Sequence, residues 1–280
     1  MSKTVIPPAP TLRLSNGVEM PRLGLGTWPM DDRESARAVA QAIETGYRLV
    51  DTAENYGNEA GVGEGLRASG VAREELFVTT KFNRKWHSRE GVREATDRAL
   101  KTLGLDYIDL MLIHWPNPDQ DRYVEAFEGL LEMVEAGKIR AAGVSNFKPA
   151  HLQKLFDAGM MPVLNQIEQD PYHRREDLVK LHEAKGIATE SWSPLGRAGA
   201  LLDDPAIVAI ARAHGVSTGQ VVLRWHIQSG FVTTPKSADA RRQAENLDIF
   251  GFTLTESEFA VLNGLGREDG SLTDADTFGH

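Results

Sequence analysis

Residues 107–146, YIDLMLIHWPNPDQDRYVEAFEGLLEMVEAGKIRAAGVSN, hold one full repeat of the fold: a β-rich run, an amphipathic helix and a second β-rich run. The run from Tyr107 is apolar nearly through to Trp115. Val124, Phe127, Leu131 and Val134 then recur at helical spacing, and Gly137 follows where a left-handed helix stop is expected. The second run begins near Arg140. Strand, helix, strand in this order predicts two parallel strands joined by a crossover helix.

The same unit recurs in both directions. Further β-rich runs begin near Arg22, Tyr47, Leu76, Pro162, Ile187 and Phe231, mostly about 20–30 residues apart. Ala36, Val39, Ala40 and Ile43 share one helical face before Gly46. Pro149 and Pro205 stand where a first-turn proline is tolerated, and Ser217…Gln220 and Thr255…Glu258 have capping-box spacing. The wide interval between the seventh and eighth runs has room for an extra helix. With eight such units the fold class is α/β, and the parallel sheet either stays open or closes into a (β/α)8 barrel. No Pro/Gly/Ser-rich linker interrupts the repeat, so residues 1–280 read as a single domain. Thr11–Met20, with Asn16-Gly17 between short β-like runs, reads as a hairpin ahead of the sheet.

Composition narrows the chemistry. The chain has no cysteine, which excludes disulfide scaffolds, Cys-ligated metals and thiol nucleophiles. A net charge of −9 lacks the basic footprint of a phosphate-backbone binder, so nucleic acid is not an expected partner. No apolar run is long enough to span a membrane, and a cytoplasmic protein is expected. The eight histidines show no metal-ligand spacing, so no metal is expected. Gly24-Leu25-Gly26 lacks the third glycine of a dinucleotide fingerprint, and Gly61-Val62-Gly63-Glu64-Gly65 reads as close packing.

Chemistry in a barrel of this kind sits at the C-terminal strand ends. Those ends carry Trp28, Asp51 with Tyr56, Lys81, His114 with Trp115, Ser145 with Asn146, Asn165 with Gln166, Trp192 with Ser193, and Lys236 with Ser237. Singly, each has a plainer reading: Asp51 could cap a turn, Lys81 could be solvated and His114 could be a core histidine. Asp109, inside the fourth run, has no explanation from sequence. A carboxylate, a phenol, an ammonium and an imidazole at consecutive strand ends point instead to one shared pocket.

Several stretches together identify a resemblance. GYRLVDTAENYGNEAGVGEGL (46–66), VTTK ending at Lys81, LMLIHWP around His114, GVSNF (143–147), NQIE (165–168), ESWSPLG (190–196) and PKS with Arg242 resemble the aldo-keto reductase superfamily. The likeness is to its prokaryotic branch, which includes the 2,5-diketo-D-gluconate reductases. It implies the closed barrel, NADPH (NADP+) as cofactor and a small-molecule carbonyl substrate. It also implies Tyr56 as general acid, assisted by Lys81, Asp51 and His114. A free phenol titrates near 10, and a cation within about 4–6 Å lowers that value by roughly 1–3 pH units, so a net lowering by Lys81 is expected. The resemblance further assigns Thr27, Trp28, Asp51, Ser145, Asn146, Gln166, Trp192, Ser193, Leu195 and Gly196 to the cofactor. Lys236, Ser237, Arg242, Glu245 and Asn246 are assigned to its adenosine-phosphate end. Trp28, Tyr56, Trp86, His114 and Trp115, with Asn117 nearby, should wall the substrate side. Residues from about Glu268 onward should lie over its mouth, as a lid or a loose end.

Two departures stand out. Asp239 occupies a position where relatives usually carry Thr or Arg; a carboxylate there would repel a 2′-phosphate unless turned away, leaving some tolerance of NADH. Asp170 replaces the His of a common His-Pro-Tyr sequence. The expected product is a monomeric NADPH-dependent reductase of aldehydes and ketones: small dicarbonyls, keto sugar acids and aryl aldehydes. A cofactor-binding regulatory subunit on the same fold, like the potassium-channel β subunits, is the alternative, and a Schiff-base aldolase using Lys81 fits the residue set less well.

Overall fold

The computed structural model describes residues 9–267 and 272–280. A two-stranded antiparallel hairpin comes first, β1 (Thr11–Arg13) with β2 (Glu19–Pro21). Eight parallel strands follow in sequence order: β3 (Leu25–Gly26), β4 (Leu49–Asp51), β5 (Phe77–Phe82), β6 (Ile108–Ile113), β7 (Ile139–Ser145), β8 (Leu164–Glu168), β9 (Ala188–Trp192) and β10 (Val232–Thr233). Bridges Leu23↔Thr233 and Gly26↔Lys236 join the last strand to the first, so the sheet closes into a barrel.

The helices wrap this barrel as the repeat requires. α1 (Asp32–Thr45), α2 (Glu59–Ala68), α3 (Arg89–Leu103), α4 (Tyr123–Glu135), α5 (Pro149–Asp157) and α6 (Glu176–Lys185) each follow one strand. The wide interval holds two helices, α7 (Pro205–His214) and α8 (Thr218–Gln228). α9 (Ala240–Leu247) and α10 (Glu256–Asn263) come after β10. The anticipated ends are present: capping boxes at Ser217/Gln220 and Thr255/Glu258, and first-turn prolines in α5 and α7. In α4 the fully buried face is Ala126, Phe127, Leu130 and Met133, one step round from the sequence-predicted stripe, whose Val124, Leu131 and Val134 are half-buried.

The glycines of α2 mark close packing. A Cβ on Gly61 would meet the Asp32 carbonyl at 2.0 Å, and one on Gly63 would meet the Leu103 carbonyl at 2.1 Å. α2 therefore lies against both neighbouring helices. Asp109 now has its explanation: its buried carboxylate takes Arg73 at 2.6 Å, Arg140 at 2.7 Å and the Val78 N–H at 2.9 Å. Asp170 is a turn-former whose Oδ1 accepts from the Tyr172 and His173 amides.

Strand alternation grades the barrel interior from apolar to polar. Leu49, Phe77, Leu110, Leu112, Leu164 and Val232 form one interior cluster, closed at its lower end by Leu14 and Met20 of the hairpin. Two or four residues further along the same inward faces come Asp51, Lys81, His114, Gln166 and Thr234. The C-terminal end of the barrel is thus where polar side chains converge.

Candidate active site

A cavity of about 420 Å³ opens at that end. Its wall includes Tyr56, His114 and Trp115 on one side and Ser145, Asn146 and Gln166 on another. Thr27, Trp28 and Asp51, then Trp192, Ser193 and Lys236, complete the sequence-predicted residues that line it. Trp28 is 61% exposed and stands at the rim.

Lys81 lies beneath the wall. Its side chain is fully buried, and its ammonium donates to Asp51 Oδ1 at 2.7 Å, the Thr52 carbonyl at 3.0 Å and the Tyr56 hydroxyl at 3.3 Å. Gln166 donates to the other Asp51 oxygen at 2.8 Å. Burial alone would pull the Lys81 ammonium down, but the Asp51 carboxylate and the Tyr56 hydroxyl outweigh it and hold it above its ordinary value. Lys81 is therefore a permanent cation at neutral pH.

The net lowering anticipated for Tyr56 is not found. Enclosure pushes the phenol above its ordinary value; Lys81 opposes this, and Asp51 works against Lys81. The cation limits the cost of forming a phenolate without cancelling desolvation. His114 stands edge-on to the Tyr56 ring, 5.8 Å between centroids, and its Nδ1 has no hydrogen-bond partner. Burial first, then the charge of Lys81, keeps His114 well below the usual histidine value, so it is neutral. A neutral imidazole carries one N–H to offer and one lone pair.

A second polar chain runs along the opposite wall. The Trp192 indole donates to Asn146 Oδ1 at 2.8 Å; the Asn146 amide donates to Ser145 Oγ at 3.0 Å and the His114 carbonyl at 3.1 Å. Asn146 takes φ 63°, a left-handed value its short polar side chain tolerates. The Arg197 guanidinium sits over the Trp192 ring at 5.2 Å and pairs with Glu168.

Some assignments move. Trp86 does not line the cavity; its indole is held by Glu54 at 2.9 Å and its ring packs against the core beside α3. Asn117 is buried under the tail at Gly279 rather than on the wall. Leu195 and Gly196 form the turn behind Pro194, outside the lining. Ser237, Arg242, Glu245 and Asn246 continue outward from Lys236 into α9 and likewise lie beyond it. Asp239 is turned onto the helix end, where its Oδ1 accepts from the Arg242 amide at 2.9 Å. Among the described residues, the side chains of Lys236 and Arg242 form no ion pair.

Sequence reasoning missed Arg197, Glu190 and the detail of the tail. Arg197 follows the quoted ESWSPLG directly, and Glu190 sits two residues before Trp192 on the same inward face, so period two was the available signal. Residues 268–271, where the lid was expected to begin, fall outside the described residues. Beyond them Thr273, Phe278 and His280 line the cavity. Phe278 packs edge-on to Trp115 at 4.8 Å, and His280 stands 5.6 Å from His114. Lys148 pairs with Asp274 and Asp276, and the Arg84 amide donates to the His280 main-chain oxygen.

The profile of the Aldo/keto reductase family matches residues 22–267. The chain is 44% identical to the 2,5-diketo-D-gluconic acid reductase B of Corynebacterium sp., over 98% of this chain and 99% of that protein. It is also 44% identical to the methylglyoxal reductase of Escherichia coli K12, over 96% and 98% of the two chains. A crystal structure of a Gox0644 mutant in complex with NADPH superposes with a TM-score of 0.92 at 40% identity, covering 96% of this chain and 98% of that one.

Proposed function

Because the chain belongs to the aldo/keto reductase family, we propose that this site reduces small aldehydes and ketones to alcohols with NADPH, Tyr56 acting as general acid. The substrates we assign are dicarbonyls, keto sugar acids and aryl aldehydes. One observation carries the reading: the Tyr56 hydroxyl is on the cavity wall, 3.3 Å from a buried ammonium that Asp51 fixes in place.

The residues fit a nicotinamide dinucleotide phosphate. The Trp192 ring lines the cavity with its indole N–H already used, leaving a flat apolar surface beside the amide and hydroxyl groups of Asn146, Gln166 and Ser145. Lys236 and Arg242, which form no ion pair among the described residues, suit the phosphate end at the start of α9. When bound, the cofactor supplies the hydride that no side chain can.

The chain's own groups would do the rest. His114 and Tyr56 hold the carbonyl oxygen, where negative charge develops, and donate to it there. Tyr56 then gives up its proton, and Lys81 stabilises the phenolate left behind. Asp51 keeps Lys81 pointed at the phenol; Trp28, Trp115 and Phe278 exclude water around the substrate. The barrel acts as one domain, and as a monomer in the cytoplasm.

An NADPH-consumption screen with methylglyoxal, phenylglyoxal, diketo sugar acids and aryl aldehydes tests this. Turnover of several of these, with NADPH preferred to NADH, is expected. Tight NADPH binding without turnover of any would instead favour a cofactor-binding regulatory protein.

A further inference from the structure

Below the cavity the barrel holds a carboxyl group that the mechanism above leaves unused. Glu190 is fully buried on β9 and points to the barrel interior, on the inward face it shares with Trp192. Strand register sets it beside Gln166 on β8 and Val232 on β10. The titratable groups that face it are Asp51 from β4, Lys81 from β5 and Tyr56 from the turn after β4. β8 contributes the uncharged Gln166, and the residue just past β10 is the uncharged Thr234. The Gln166 and Thr234 side chains approach it closely enough to favour its charged form slightly, but neither Glu190 oxygen has a hydrogen-bond partner of normal distance and angle, and among the described residues no cation pairs with it.

Charge balance decides its state. This enclosed layer contains one ammonium and two carboxyl groups, and Asp51 already takes the ammonium at 2.7 Å. A second buried carboxylate without a partner costs several kcal/mol, by the general penalty for desolvating an ion. One carboxyl must therefore keep a proton, and the unpaired one is Glu190.

We propose that Glu190 is a positioning residue of this site: a neutral carboxylic acid beneath the Asp51–Lys81 pair whose ionisation adds a second negative charge and weakens Tyr56 as a proton donor. The inference rests on the reading of Tyr56 as general acid. The sign follows from the geometry. With Glu190 neutral, Asp51 and Lys81 nearly cancel, and a phenolate at Tyr56 meets little opposing charge. With Glu190 ionised, a phenolate forms next to an uncompensated anion and proton donation slows. Burial, followed by the charge of Asp51, pushes the Glu190 carboxyl up to about 8. Tyr56 and Lys81 titrate above their ordinary, already alkaline values and His114 below its own, which leaves the interval from pH 7 to 9 to Glu190.

The test has two readouts. For wild type, kcat/KM for carbonyl reduction should fall up to about tenfold between pH 7 and pH 9, the drop for one required proton lost near 8. Glu190→Gln, an isosteric neutral amide, should flatten that limb while keeping activity at pH 7 within a few-fold. Independently of turnover, infrared difference spectra of the wild-type protein with 13C-labelled glutamate should show a protonated carboxyl band bleaching from pH 7 to 9, absent in Glu190→Gln. An alkaline limb unchanged in Glu190→Gln, or no protonated glutamate at pH 7 in wild type, overturns the proposal. Wild-type inactivity towards every carbonyl would instead overturn the general-acid reading, and the infrared result would still stand alone.

Discussion

Replacing Lys81 by Met separates the two things this lysine does. The substitution nearly keeps the volume of the stem but removes a charge with no solvent exposure. Asp51 would then be a buried carboxylate held only by Gln166, and breaking such a pair from one side costs about 3–5 kcal/mol of stability. Tyr56 would lose the cation that favours its phenolate. At 3.3 Å and an effective dielectric of about 20, that attraction is on the order of 5 kcal/mol before Asp51 is set against it. After that offset, a loss of roughly 10²- to 10⁴-fold in kcat/KM is expected, the usual range for general acid catalysis. The pair Lys81→Met/Asp51→Asn tells the effects apart. Removing both charges should recover stability by at least about 1 kcal/mol relative to the single variant, because the sites are in contact. It should recover no activity, because the phenol still lacks its cation. Urea unfolding and steady-state reduction at pH 7 read both quantities. Near-wild-type turnover in either variant would refute the role given to Lys81.

Asp239→Asn keeps an acceptor for the α9 end and removes its charge; if that charge faces a 2′-phosphate, KM for NADPH should fall a few-fold while KM for NADH stays put. An unchanged ratio would mean the carboxylate is fully turned away. Gly63→Ala should destabilise by about 1–3 kcal/mol, since its Cβ would press on the Leu103 carbonyl, with little effect on kcat. Acid should unfold the protein through His182 and His226, both drawn down to about 4 by burial. Folded chains keep these rings neutral while unfolded chains protonate them near 6.5. The stability is thus complete above that pH and is lost as pH falls towards 4, by roughly 3 kcal/mol per ring. Urea midpoints at pH 7 and 4.5 should therefore diverge less in His226→Gln.

Elements whose local rules agree were legible in the sequence. Capping boxes at Ser217 and Thr255, the prolines of α5 and α7, and the eight β-runs all recur in the structure, because each depends on neighbours within a few residues. Most of the cavity wall was legible for the same reason: it sits at strand ends, and strand ends are readable. What was not legible depended on distant partners. Trp86 is an aromatic on a strand–helix loop like a wall residue, yet Glu54, thirty-two positions away, holds it aside. Asp109 looked anomalous until Arg73 and Arg140 closed on it. The direction of the Tyr56 shift turned on how deeply its hydroxyl is enclosed, which spacing does not report.

Whether Tyr56 donates the proton in an NADPH-dependent reduction is decided by Tyr56→Phe, which removes one oxygen and leaves the ring against His114. Quenching of the protein's tryptophan fluorescence by NADPH reports cofactor binding, and single-turnover NADPH oxidation with phenylglyoxal reports the chemistry. The expected result is an NADPH Kd within a few-fold of wild type and a rate at least about 100-fold lower, the lower bound for losing a general acid. A Tyr56→Phe protein that binds NADPH and reduces phenylglyoxal within tenfold of the wild-type rate would contradict it.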